Sequence, residues 1–196
     1  MKKIFQVIVV VLGICLLGNP LYAQESQKHI EFRGIPVSGN LNTFVGKLGG
    51  LGYKVAERSD NAVLMEGKFT GKDVEIIVFS SKKTKTVWKV LVRFDKATSW
   101  SSLKYDYEYY KSAFTKKYGN PETSYEFFSD PYYEGDGYEL QAVRVEKCHY
   151  VSFYNTEGGV VYIEMDKSER LCVHYEDSVG TEKQKKERDE AVIDDI

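Results

Sequence analysis

Four side chains towards the C-terminal end of the chain have the types that do chemistry. Cys148 is followed by His149, and Cys172 stands two residues before His174. Two thiols and two imidazoles are a ligand set for zinc, and a thiol beside an imidazole is the start of a nucleophilic dyad. In extended chain Cys172 and His174 share a strand face, whereas Cys148 and His149 do not. The group lacks the close paired spacing of structural zinc sites, and nothing around it activates a thiol. The same cysteines read either as a disulfide or as two buried free thiols. One whole strand separates theirs in a meander, which puts the Cα atoms ~9–10 Å apart. A disulfide needs less than about 7 Å, so a bridge requires Cys148 to lie outside the ladder.

Oxygen ligands come together in Asp130, Glu134 and Asp136, a loop with two glycines. Calcium takes such carboxylates, but the spacing is not that of an EF-hand, and a solvated turn is the simpler reading. Lys82, Lys83 and Lys85 read as a solvated hairpin end. The chain has no G-x-S-x-G, H-E-x-x-H or phosphate-cradling glycine loop. No catalytic residue, metal or cofactor is therefore assigned. The candidate binding residues are tyrosines: Tyr105 and Tyr109, and Tyr132, Tyr133 and Tyr138 on or beside the acidic loop. Tyrosine gives large contact area at low entropic cost.

The clearest element that must position them is a helix from about 99 to 118. Leu103, Tyr107, Tyr110, Phe114 and Tyr118 repeat at helical spacing on one face. Serines at 99, 101 and 102 can cap its start, and Lys116, Lys117, Gly119 and Pro121 end it. Tyr105 and Tyr109 fall opposite the stripe. An earlier helix presents Leu41, Phe44, Val45, Leu48 and Leu51. Gly46, Gly49 and Gly50 each weaken it by about 1 kcal/mol relative to alanine. Packing must hold it, or the glycines admit a close approach to a sheet.

Period-two segments follow each helix. The first set is 53–57, 62–69, 72–80 and 87–94, with Trp88, Val90, Val92 and Phe94 in phase. The second is 123–128, 149–154, 160–165 and 171–176. Residues 138–147 suit a short inserted helix better than a strand. The chain is thus expected to be α+β, with two helix-plus-four-strand pseudo-repeats, at about 30–97 and 98–177. Their helices would pack on one face of a broad antiparallel sheet. Residues 24–29 read as a flexible lead and 178–196 as a charged, solvated tail, with Val192, Ile193 and Ile196 the only reason to expect docking.

Lys2 and Lys3, the apolar run 4–17 and Leu21-Tyr-Ala23 have the form of an export signal over 1–23. The run is too short for a comfortable membrane span. Removal of the signal takes two of the 27 basic residues and none of the 29 acidic ones. The remaining chain is acidic, which speaks against nucleic acid as a partner, and no stable membrane span is expected after cleavage. The expected location is periplasmic or secreted.

Three stretches carry a resemblance: Gly34-Ile-Pro-Val-Ser-Gly39, Lys117-Tyr-Gly-Asn-Pro121 and Tyr175-Glu-Asp177. They resemble uncharacterised small secreted proteins of anaerobic Gram-negative gut bacteria. The helix-plus-four-strand repeat is similar to the β-lactamase-inhibitor-protein-like architecture of secreted binding and envelope-assembly modules. The resemblance carries over no activity and no inhibitor-specific residue; the export signal, the absence of catalytic motifs and the surplus of tyrosines point to binding. The expected function is a non-catalytic binding module for a protein or cell-envelope component. The alternative is a metal- or thiol-dependent enzyme using Cys148, Cys172, His149 and His174. A structural envelope subunit is a third reading.

Overall fold

The computed structural model describes residues 28–194, so the expected export signal lies outside the described residues. A small hairpin, β1 (Glu31–Phe32) and β2 (Ile35–Pro36), precedes helix α1 (Leu41–Gly50). Strands β3 (Lys54–Arg58), β4 (Ala62–Phe69), β5 (Lys72–Ser80) and β6 (Val87–Phe94) lead to α2 (Trp100–Tyr118). Then come β7 (Thr123–Phe128), α3 (Glu139–Arg144), β8 (Cys148–Thr156), β9 (Gly159–Asp166), β10 (Arg170–Asp177) and α4 (Ser178–Asp194). The long strands form one antiparallel sheet in the order β3-β4-β5-β6-β10-β9-β8-β7. Each set of four is a meander, and the two meet where β6 pairs with β10.

The core follows from the periods in the sequence. Val74, Ile76 and Val78 alternate on β5, and Val161, Ile163 and Met165 on β9, all buried. They join Leu41, Phe44, Val45 and Leu48 of α1 and Leu103, Tyr107, Tyr110 and Phe114 of α2 in one cluster. Burying each such large side chain contributes about 1.5–3 kcal/mol. Ser99 caps α2 by accepting from the Ser102 N–H at 3.1 Å, and Gly119 ends it at φ +88°. That positive φ is why glycine stands there.

Several sequence expectations change or are settled. Leu51 is exposed, because it is the C-terminal cap of α1 and not part of its buried face. The glycines of α1 face open space, with nothing within 4 Å of where a Cβ would stand, so packing on the sheet holds that helix. Trp88 leaves the face of Val90 and Val92. A register shift opposite Phe79 and Ser80 inserts an extra residue there. Its ring packs on Phe79 at 6.2 Å, and Phe79 points away from Val78 by strand alternation. Residues 28 and 29 are not a loose lead. Buried Asp177 accepts from His29 Nδ1 at 2.9 Å, Ile30 N–H at 3.2 Å and Gly180 N–H at 2.7 Å, which fastens the lead and the start of α4 to β10.

Residues 178–194 form α4, which docks against β6. A Cβ on Gly180 would come within 2.8 Å of the Trp88 Cβ, so only glycine permits that approach. Further along, Glu187 accepts from the Lys83 N–H at 2.9 Å and from the hydroxyls of Ser81 and Thr84 at 3.1 and 2.6 Å. The lysine loop is therefore tied down, with Lys85 also paired to Asp60 at 2.8 Å. Val192 and Ile193 stay exposed. Docking runs through Gly180 and Glu187 instead.

Two outcomes test this account. Gly46→Ala and Gly49→Ala should each raise the stability measured by urea unfolding by about 0.5–1 kcal/mol, since the helix gains propensity and meets no clash. Asp177→Ala should lower it by roughly 2–4 kcal/mol, because it strands buried backbone donors.

Candidate functional site

The two cysteines lie on opposite faces of the sheet. Cys148 shares the core face of β8 with Tyr150, Ser152 and Tyr154. Cys172 lies opposite Glu164 of β9 and shares its face with His174, whereas Leu171, Val173 and Tyr175 face the core. Both are buried free thiols. With β9 between their strands and their side chains on opposite sides, the disulfide reading has no geometry. Burial pushes the Cys148 thiol up to about 12 and also raises that of Cys172, which keeps both protonated. His149 is elsewhere again, its ring 4.7 Å from that of Phe127. Among the described residues no three His, Cys, Asp or Glu side chains gather as metal ligands.

What the open face does hold is a polar seam. The His174 ring stacks on Tyr162 with centroids 4.1 Å apart and planes at 7°. Glu164 Oε1 lies 2.9 Å from His174 Nε2 but is not aligned for a hydrogen bond, and neither ring nitrogen has one. Lys89 donates to Glu176 at 2.7 Å and to the Tyr162 hydroxyl at 3.0 Å, and that hydroxyl donates to Glu176 at 3.0 Å. Burial lowers the His174 pKa and raises that of Tyr162, so both are neutral at pH 7. The Lys89, Tyr162 and Glu176 bonds cross-link β6, β9 and β10, and the neutral His174 ring is buried against Tyr162.

The five candidate tyrosines do not form one patch. Tyr105 and Tyr109 are 70% and 57% exposed on α2, with near-parallel rings 6.4 Å apart. Tyr132 is half-buried against the core, and its hydroxyl accepts from Gln141 at 3.1 Å. Tyr133 and Tyr138 are exposed on the acidic loop. Asp136 turns inward to accept from their N–H groups at 3.1 and 2.7 Å, and Glu134 pairs with Lys104. The loop's carboxylates hold its own backbone and α2, as a turn does. Lys104 and Lys111 reach Glu134 and Glu126 on one flank of α2, and Asp106 reaches Lys72 on the other. Tyr109 lies towards the Asp106 flank, away from the loop.

There it borders a cavity of about 360 Å³ between α2, the β1–β2 hairpin and the end of β10. Phe69, Tyr109, Tyr110, Phe114 and Tyr175 form most of its wall, with Arg33, Lys117, Glu31 and Thr70 as polar groups. Arg33 and Gly34 make the hairpin turn at φ +54° and +75°, and both line the opening. No protein-family model, no curated protein and no solved structure matches the chain. The cavity must therefore be read from its own chemistry. The Thr70 hydroxyl donates to Phe69 O at 2.7 Å and also bonds the Tyr110 hydroxyl. Tyr175 is 4% exposed, and its hydroxyl has no hydrogen-bond partner among the described residues. Among the described residues Arg33 and Lys117 are in no ion pair; Lys117 Nζ lies 4.8 Å above the Tyr118 ring.

A larger hollow of about 540 Å³ lies beyond β1 and shares Glu31 and Lys117 with the first. It is lined by the lead, the β1–β2 hairpin, the end of α2 and the β8–β9 turn, and Asp177, the buried acid bonded to its His29, already accepts from three donors. Sequence reading missed Arg33, Lys117 and Tyr175. Arg33-Gly34 reads as a turn and Tyr175 as a core position of its strand, and only the fold joins them to Tyr109.

The buried histidine gives a pH test. Its folded pKa lies below the ordinary 6.5, so above that pH folded and unfolded forms are both neutral there. Below it the unfolded chain takes the proton first, and stability falls as pH falls. Tyr162 and Glu164 of β9, Lys89 of β6 and Glu176 of β10 face the ring, and Lys89 opposes its charging. Between pH 8 and pH 5 the urea midpoint of the wild type should fall further than that of His174→Gln. Equal falls would remove His174 from the account.

Proposed function

We propose that the chain is an exported binding protein, periplasmic or secreted, whose target is a protein or cell-envelope component. The observation that carries this reading is the Tyr105–Tyr109 pair. Two large rings are held near-parallel in solvent on a helix whose opposite face is fully used by the core. Tyr105 stands clear of the core, and Tyr109 touches it only where its ring meets that of Tyr110 edge-on at 5.3 Å. A rigid helix presents them at little entropic cost on binding, and the mouth of a cavity adjoins Tyr109. Tyr133 and Tyr138 belong to a separate exposed surface.

The same reading includes a pseudo-repeat, with α1 and β3–β6 corresponding to α2 and β7–β10, and α3 as an insertion. It is supported by two meanders that meet at their last strands. The β-lactamase-inhibitor-protein-like architecture and the small secreted proteins of gut anaerobes are the proposed kin on the sequence resemblance alone. The alternative, an enzyme using Cys148, Cys172, His149 and His174, gains no support from thiols on opposite faces. Among the described residues no helix is long and apolar enough to cross a membrane.

The test is capture from envelope and extracellular fractions of producing cells with the purified chain as bait. The Tyr105→Ala, Tyr109→Ala double variant should keep the wild-type circular dichroism and recover at least ~10-fold less of the wild-type partner. Equal recovery, or no specific partner for the wild type, would defeat the reading.

A further inference from the structure

The cavity beside Tyr109 has one feature that packing leaves unexplained. Tyr175 is 4% exposed and lines the cavity, and its hydroxyl has no acceptor among the described residues. The hydroxyl oxygen is not sealed from solvent, so it is free to donate to an acceptor that enters the cavity. Burial raises the Tyr175 pKa, and the Arg33 cation nearby pulls the other way. The hydroxyl thus keeps its proton at neutral pH and acts as a donor. Arg33 and Lys117 add two cations against the single carboxylate of Glu31. The remaining wall is aromatic. The Tyr110 hydroxyl is already bonded to Thr70, which leaves Tyr175 as the free hydroxyl of the inner wall.

We propose that this cavity binds a small amphiphilic carboxylate, its apolar body against Phe69, Tyr109 and Phe114 and its carboxylate between the Tyr175 hydroxyl and the Arg33 guanidinium. The inference rests on the binding reading above and names the chemistry of the ligand at the same site. A carboxylate fits better than a phosphate dianion. One hydroxyl and one guanidinium fork satisfy two planar oxygens, whereas a dianion would leave charge uncompensated beside Glu31. A volume of about 360 Å³ suits an organic acid and not a folded partner. The free acid and the carboxylate terminus of a short apolar peptide share this chemistry.

The experiment is calorimetric titration of the full exported chain with decanoate, 3-phenylpropionate and a short peptide ending in phenylalanine. Decanol, phenethylamine and inorganic phosphate serve as comparisons. At least one carboxylate should bind with one-to-one stoichiometry, and its uncharged or cationic counterpart at least tenfold more weakly. The carboxylate arm that binds tightest identifies the source. Tyr175→Phe removes one oxygen and should weaken that carboxylate about tenfold, the worth of one hydrogen bond. Arg33→Gln, at an exposed turn that does not pack in the core, should do at least as much. Val192→Ser, far away on α4, should change nothing. No carboxylate binding, equal binding of decanol, preference for phosphate, or unchanged affinity in both Tyr175→Phe and Arg33→Gln would each overturn the proposal. Carboxylate binding without capture of a macromolecular partner would sink only the wider reading; capture without carboxylate binding would sink only this one.

Discussion

The structure depends on the pairing of β6 with β10. Each meander alone is a four-stranded sheet with an unpaired edge, and this single antiparallel seam makes them one sheet with one core. Its register sets Val173 opposite Val92, Tyr175 opposite Val90 and Glu176 opposite Lys89. Because side chains alternate, a slip by one residue would move Val173 and Tyr175 out of the core and bring Cys172, His174 and Glu176 into it. Burial on the core side and the Lys89–Glu176 pair on the other oppose that slip together. The pair is partly buried, and a cross-strand pair of opposite charge contributes about 0.2–1 kcal/mol.

The seam also decides what each face can do. On the core side Tyr175 reaches the ring of Phe32 at 5.1 Å and that of Phe114 at 6.4 Å, so the hairpin, α2 and β10 close around one cavity. On the other side Lys89, Tyr162 and Glu176 bond one another, the His174 ring nitrogens are buried without partners, and α4 covers Trp88. The cavity opens on the helical side, near the β1–β2 turn. Binding chemistry there is a consequence of register, carried from sequence through sheet pairing to a surface.

Much of the architecture was legible in the sequence because it is written locally. The α2 stripe, its serine cap and the Lys116-Lys117-Gly119-Pro121 stop all act within a few residues of the element they define. The eight strands of the large sheet and the short helix at 139–144 follow from period and turns in the same way. The parts that were not legible depend on partners distant in the chain. Trp88 misled because an extra residue breaks the alternation, and the cause is in the pairing with β5. The docking of α4 escaped notice because its contact is a glycine, which offers no apolar signal, and a glutamate that accepts hydrogen bonds from residues about a hundred positions away. The cysteines were readable as one strand apart, bridged or free, and only the pairing shows that they are free thiols on opposite faces. Of the binding candidates, Tyr105 and Tyr109 were readable as the unused face of α2, whereas Arg33 and Tyr175 meet only through the fold.

The central claim is that the seam's register places Tyr175 on the helical side, at the wall of the cavity. Nuclear Overhauser contacts from the Tyr175 ring protons test it most directly. Contacts to the rings of Phe32 and Phe114, with none to Tyr162, are the predicted result. Contacts to Tyr162 or to the Lys89 side chain would mean that the strand sits one residue out of this register, and the cavity, its free hydroxyl and the core described here would not exist.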